Sequence, residues 1–453
     1  MAGSASFSSR LGFILATAGM AVGLGNIWSF PFVAGQNGGG GFVLIYLITM
    51  ALIAAPIMMA ELTLGRLGRN SPPKALANLG EGRKFGGLWP VPAFVGMFSL
   101  IIIVSFYAVI AGQSLSYLLE SAKGTFSALD GPSITALDQD YKAQKIAPFL
   151  WSAFFLGITG WIATRGVEKG IERAAKIMMP AFFLLLLSLV IFSMIKGDGA
   201  AALSFLFSFE KMQLTPDIIL QAVGQAFFSV SVGVGGVMAY GAYMGRDVSL
   251  PGSTFWIVLL DTAVALLAGL MIFPLVFAEP SVQPDAGPNL IFITLPIVFS
   301  LIPFGSIVAV AFFLLLAFAA LTSSISMLAP GIQWLEDKGW PRSVAGILLT
   351  IIAIALSSLT VLSFNDWSTF YPLAPIGFDG MTIFDLFREG VNNIVLPLGG
   401  LAFAVMVGWG MDRSRILQAF GVDHVRLMES WLWLLRYVVP IAIVAMFLNI
   451  ILG

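Results

Sequence analysis

The 453-residue sequence predicts an all-α polytopic membrane protein with eleven transmembrane helices, and three observations carry that reading. Apolar residues make up 58% of the chain and charged residues 10%. Soluble globular proteins run at roughly 45–50% and about 25%, so too little polar surface is present to coat soluble domains. Eleven segments approach or exceed the roughly 20 apolar residues that carry a helix across a bilayer. Finally, glycines cluster inside two of those segments, at Gly19, Gly23 and Gly25 and again at Gly233, Gly235 and Gly236.

In chain order the spans are about 11–34, 42–64, 88–119, 149–164, 171–195, 218–242, 254–278, 303–335, 343–362, 383–411 and 431–452. The first is no cleavable leader, because it is long, holds Asn26 and Pro31, and ends without a small-residue cleavage site. The apolar stretch 288–300 is too short to span and reads as a short helix over an outer cavity. The loops 120–148 and 196–217 carry mixed charge and read as solvated connectors. Seventeen basic residues fall on one set of alternating ends and loops, from Arg10 through Arg66, Arg165 and Arg246 to Arg436, and five on the other. The excess places the N-terminus in the cytoplasm, and an odd span count places the C-terminus outside. Residues 1–453 read as a single domain, with halves at about 11–195 and 218–411 and an extra helix at about 431–452.

Composition also excludes chemistries. No cysteine is present, so disulfides, iron–sulfur clusters and thiol nucleophiles are out. The sole histidine, His424, lies in a basic linker where solvation is its ordinary fate. A net charge of −1 gives no pull toward nucleic acid. The lipid bilayer is the one partner that composition names, and an enzyme is not expected.

Each glycine costs a helix about 1 kcal/mol relative to alanine. Clustered glycines in either span fit close helix packing or an unwound stretch. The two spans, however, occupy corresponding places in two five-span halves, the pattern of an inverted-repeat transporter with a central site. Freed amides at a half-helix N-terminus attract a carboxylate, and freed carbonyls coordinate a cation. Asp261 lies within span seven, where a lone charge costs about 2.5–3.5 kcal/mol on insertion scales. Its simplest partner is a bound cation or a proton; a protonated carboxyl in a hydrogen-bonded core is the structural alternative. Span eight carries Thr322, Ser323, Ser324 and Ser326 beside Ala319. Such hydroxyls commonly bond their own backbone, but they also suit a hard cation such as sodium. Glu61 reads as structural, pairing with a glycine-freed amide or a nearby arginine, and Glu336 and Asp337 read as solvated. Gly170 and Pro180 open span five, where proline kinks or unwinds a helix.

The segments RLGFILATAGMAVGLGNIWSFPF, NGGGGF, AELTLGR, ERAAKIMMP, GQAFFSVSVGVGG and ALTSSIS occur in order, and the chain resembles the neurotransmitter:sodium symporter family, specifically its bacterial eleven-span amino-acid transporters. The resemblance implies import of hydrophobic L-amino acids, aliphatic or aromatic, coupled to sodium by alternating access in the bacterial inner membrane. A proton-coupled transporter and a channel are the alternatives. Two sodium sites are implied: Ala21, Asn26, Ser229 and Asp261 for the first, and Gly19, Val22, Ala319, Thr322 and Ser323 for the second. The substrate would meet Ala21, Leu24, Gly25, Ser229 and Ser323, with a side-chain pocket of Ile103, Tyr107, Phe228, Ser231, Val234 and Met327. Val234 stands where some relatives carry a larger aromatic, which implies a roomy pocket. Tyr107 and Phe228 would be the lid. Chloride-dependent relatives have asparagine where this chain has Asp261 and a serine where it has Ala265, so no chloride is expected. Asp385 and Asp337 match gating positions. Their usual partners are changed, with Ser29 in place of an outer arginine and Ser4 and Phe7 at the inner end. The Gly170–Pro180 spacing is associated in this family with cytoplasmic water reaching the second sodium.

Overall fold

The computed structural model describes residues 6–209, 215–245, 247–279, 290–377, 379–420 and 425–452, and among them every regular element is helical. Ser4, Lys211, Arg246 and His424 lie outside the described residues. The helices that matter below are α1 (Arg10–Ala21), α2 (Gly25–Gln36), α3 (Gly40–Gly68), α4 (Pro72–Gly80), α5 (Gly86–Ala122), α6 (Gly131–Ala143), α7 (Ile146–Ala163), α8 (Val167–Lys196), α9 (Gly199–Phe207), α10 (Pro216–Val230) and α11 (Gly236–Ala242). They continue with α12 (Leu250–Phe277), α13 (Thr294–Leu301), α14 (Gly305–Asp337), α15 (Arg342–Ser363), α16 (Ile383–Gly410) and α18 (Val425–Asn449), the last preceded by the short α17 (Arg413–Phe420).

Among the described residues nine helices are long and apolar enough to cross a membrane, and ten if α1 and α2, bent by 50°, count as one. The stretch read as span six is divided into α10 and α11, neither of which is long enough alone to cross. Both breaks therefore fall where the glycines cluster. α1 starts on Ser9, whose hydroxyl accepts from the Gly12 amide at 3.0 Å, and stops when Val22 turns to extended backbone. α10 stops at Ser231, held in the left-handed region at φ 53°, and α11 resumes after Gly233 and Gly235 at φ 92° and 75°. Gly233 is required there twice over. Its φ suits a residue without Cβ, and a Cβ would sit 2.0 Å from the Leu396 carbonyl oxygen of α16.

α14 packs along α5, α8 and α7 at the centre, and α1 lies against α8, α12 and α14. The outward faces are apolar, as lipid demands. On α8, Ile177, Leu184, Ile191 and Ile195 are exposed at spacings that form one stripe.

Two connectors differ from expectation. Loop 120–148 contains α6, capped by Asp130, with Asp138 buried. Asp138 accepts from Gln113 at 2.7 Å and Tyr117 at 3.2 Å and pairs with Lys142 at 2.6 Å. Mixed charge looked like solvation, yet here one acid folds inward and takes its cation with it, four residues on. Loop 196–217 contains α9, whose Phe205 packs on Phe273 with ring centroids 4.8 Å apart. The short apolar stretch does form a helix, α13, although its first two residues lie outside the described set.

Candidate functional site

The first cluster joins both breaks to α12. Asp261 is fully buried, and its carboxylate accepts from Asn26 Nδ2 at 2.8 Å and from the Ser229 hydroxyl at 2.7 Å. Asn26 Nδ2 also reaches Ser229 Oγ at 2.9 Å and the Asp261 carbonyl at 3.0 Å, while Asn26 Oδ1 accepts from the Gly23 amide at 3.0 Å. Residues 26, 229 and 261 thus meet, as the sequence proposed. The Asn26 amide nitrogen, however, faces the pair where a cation would need Oδ1. A half-turn of the carboxamide exchanges the two atoms. All the partners bonded to Asp261 are neutral, so the buried charge is solvated by dipoles alone.

The second cluster lies between α1 and α14. Ser323 Oγ donates to the Gly19 and Val22 carbonyls, each at 3.1 Å. Thr322 Oγ1 stands 3.1 Å from the Ala319 carbonyl and 3.0 Å from that of Phe318. A Cβ on Gly19 would lie 3.2 Å from Thr322 Cβ, so the two groups of oxygens adjoin. Carbonyl and hydroxyl oxygens without a fixed charge are a donor set for a hard monovalent cation.

Between the clusters, Tyr107 OH accepts from the Leu24 amide at 3.0 Å. A Cβ on Gly23 would fall 2.7 Å from that hydroxyl and 2.6 Å from Ser323 Oγ, so backbone, phenol and serine converge at one point. Ile103 and Tyr107 share a face of α5 at i, i+4, as Ser323 and Met327 do on α14. Ile103, Val234 and Met327 are buried. The Phe228 ring lies over Gly25, 3.1 Å from where a Cβ would be. Phe228 also lines a cavity of about 360 Å³, with Trp28, Gln225, Phe384, Arg388 and Glu389 among others.

The positions expected to gate have partners of their own. Ser29 donates to Gln225 Oε1 at 2.6 Å, and Gln225 Nε2 donates to the Gly25 carbonyl at 2.8 Å. Asp385 is instead taken up in a capping box, accepting from Thr382 Oγ1 at 2.7 Å. Asp337 is not simply solvated: it accepts from the Ser71 amide at 3.0 Å and lies 3.4 Å from Lys74. Glu336 pairs with Arg342 at 2.8 Å. Glu61 accepts from the Gly233 amide at 2.6 Å and that of Met238 at 3.2 Å, the glycine-freed amides expected for it. Gly170 and Pro180 sit in one continuous helix, whose first turns, Val167–Glu172, are π-helical. A Cβ on Gly170 would lie 2.3 Å from the Ile162 carbonyl, so close packing also accounts for that glycine.

Sequence reasoning missed Gln225 and Tyr46. Tyr46 OH lies 3.3 Å from Ser229 Oγ and so backs the first cluster. Gln225 stood in the quoted GQAFFS segment, four residues before Ser229 and hence on its face. Tyr46 had no such signal.

Comparison with known proteins agrees with this geometry. The family model described as the sodium:neurotransmitter symporter family matches residues 4–129 and 144–452. An uncharacterised sodium-dependent transporter, YhdH of Bacillus subtilis (strain 168), is 34% identical over 98% of this chain and 97% of its own length. The sodium-dependent neutral amino acid transporter B(0)AT2 of Mus musculus is 26% identical over 59% of this chain and 40% of its own. Among solved structures, MhsT in complex with L-phenylalanine superposes with a TM-score of 0.90 at 38% identity, covering 98% and 99% of the two chains.

Proposed function

Because this chain belongs to the sodium:neurotransmitter symporter family, we propose that it imports hydrophobic L-amino acids, aliphatic or aromatic, with sodium through a bacterial cytoplasmic membrane. The N-terminus faces the cytoplasm in this reading. The observation that carries it is the pair of oxygen clusters flanking the breaks at Val22–Leu24 and Ser231–Gly235. One sodium takes Asn26, Ser229, Asp261 and the Ala21 carbonyl. A second takes Gly19, Val22, Ala319, Thr322 and Ser323. The substrate carboxylate replaces the Leu24 amide at Tyr107 OH and meets the Gly25 amide. Its side chain occupies the space among Ile103, Phe228, Ser231, Val234 and Met327. A relative of the same fold binds L-phenylalanine, which supports that substrate class.

The donor set supports sodium over a proton as the coupling ion. With the Asn26 carboxamide turned to present Oδ1, that oxygen, Ser229 Oγ and the Asp261 carboxylate make an oxygen set with one negative charge, which suits a monovalent cation. The second cluster holds hydroxyls and carbonyls, which offer no group that titrates near neutral pH.

Asp261 supplies in the protein the negative charge that chloride would bring, and Ala265, buried one turn on, offers no hydroxyl to hold an anion. Proteoliposomes loaded without sodium should therefore take up labelled L-phenylalanine on a sodium gradient, and do so equally in chloride and in gluconate. A loss beyond about tenfold in gluconate, some 1.4 kcal/mol of coupling, would contradict chloride independence. An absence of sodium-driven uptake for every hydrophobic amino acid in a competition panel would contradict the substrate class.

A further inference from the structure

We infer that Ser8, Glu172 and Lys176 form the intracellular latch of this protein. They are a positioning set that clamps the start of α1 to the turns of α8 that must loosen before the ion at Thr322 and Ser323 can leave inward. The inference rests on the symporter reading above and adds to it which residues hold the inner side shut.

The matched inner pair, an N-terminal arginine with Asp337, is not built here, because Asp337 is engaged by Ser71 and Lys74. The N-terminal segment is held at Phe7, whose amide donates to the Tyr243 carbonyl at 3.3 Å and whose ring lies 5.6 Å from that of Tyr240, and by charged groups on α8. Glu172 is buried, its side chain 1% exposed. It accepts from the Ser8 amide at 2.8 Å and, through its other oxygen, from the Ser8 hydroxyl. Lys176 closes the triangle, 2.7 Å from Glu172 and 3.0 Å from Ser8 Oγ. Gly12, one turn beyond Ser8, makes room for the carboxylate: a Cβ there would fall 2.0 Å from Glu172 Oε1.

Two features make this contact a latch rather than a fixed brace. Glu172 ends the π-helical turns of α8, which begin after Gly166 at φ 93°, and π-helix is the rarer and weaker winding. Lys176 rides four residues away on the same helix, so when α1 withdraws with Ser8 the carboxylate keeps its cation. Release breaks three hydrogen bonds, two to Glu172 and one from Lys176, and strands no buried charge, the outcome that would make opening prohibitive. Just inside the latch lies a void of about 10 Å³ lined by Ala16, Ile171, Ala174, Ala175, Thr322, Ile325 and Ser326. Ala16 follows Gly12 by one turn, and Ile171 adjoins Glu172, so parting them opens the layer that separates Thr322 from the inner solvent.

The chain has no cysteine, so one reporter is unambiguous. The full-length Ala175→Cys protein is reconstituted in liposomes, and its reaction with a membrane-impermeant methanethiosulfonate from the inner side is timed with and without sodium. Gly12→Ala and Glu172→Ala should speed labelling in sodium by about 100-fold, and Ser8→Ala, which keeps the amide contact, by about tenfold, as expected for losing hydrogen bonds to charged groups. Ser8→Ala combined with Glu172→Ala should be no faster than Glu172→Ala alone, since both remove one contact. Unchanged labelling in Gly12→Ala and Glu172→Ala, or additive effects in the double variant, overturns the latch. Should Gly12→Ala fail to fold, Ser8→Ala, which deletes only a hydroxyl, decides. A parent reporter that sodium does not protect speaks against the symporter reading itself, while a protected parent with unmoved variants speaks against the latch alone.

Discussion

Replacing Asp261 with alanine should lower sodium-driven uptake by about 100-fold or more, equivalent to some 2.7 kcal/mol of lost ion binding. The magnitude follows from what the carboxylate holds. It accepts from Asn26 and Ser229 in a fully buried setting, and truncation leaves both donors without their charged acceptor. Asn26 keeps the carbonyl of residue 261, while the buried Ser229 hydroxyl loses its acceptor at a cost of about 1–3 kcal/mol. Asp261→Asn keeps the shape and removes only the charge, so it separates electrostatics from packing. Alone it should also be poor. Paired with Ala265→Ser, which adds a hydroxyl one turn along the same face, it should recover uptake in chloride and not in gluconate. Radiolabelled uptake in the two anions checks this. Full activity of Asp261→Ala would remove the carboxylate from the ion site.

Gly233→Ala carries the second large effect. The residue sits at φ 92°, and its Cβ would lie 2.0 Å from the Leu396 carbonyl oxygen and 3.1 Å from the Gly400 amide nitrogen, both of which are backbone. Strain in that region costs about 1–3 kcal/mol, and overpacking against rigid backbone a similar amount. The cost falls on the break itself, because Glu61 holds the same Gly233 amide at 2.6 Å. The variant should show a lowered melting temperature and transport below about a tenth of wild type, the loss that 1.4 kcal/mol alone would bring. Gly157→Ala, on α7 with nothing within 4 Å of its Cβ, is the control and should be silent or slightly stabilising. Equal behaviour of the two variants would mean that the break at Gly233 tolerates a wound helix.

Much of this was legible in the sequence because membrane physics leaves few choices. A run of apolar residues must wind, so the spans were readable, and a glycine cluster inside one marks where winding fails. Asp261 stood out because a buried charge needs an explanation. The illegible part was pairing over long sequence distances. Asn26 meets residues 229 and 261, and Ser8 meets residue 172, across more than 160 positions that no local period encodes. Resemblance supplied the first pairing and gave no signal for the second, in which the Ser8 amide donates to Glu172. Asp138 was hidden for a different reason: a charged residue in a charged loop looks solvated until its Gln113, Tyr117 and Lys142 partners are in place. Ser231 in the left-handed region marks the end of α10 in a way that its residue type does not advertise.

Equilibrium binding of labelled L-phenylalanine to the purified protein, titrated with sodium at two fixed pH values in gluconate, reaches the heart of the matter. Binding that requires sodium, rises with a Hill coefficient above one and is the same at both pH values is the predicted result. Binding that persists in potassium, or that follows pH while ignoring sodium, would contradict it.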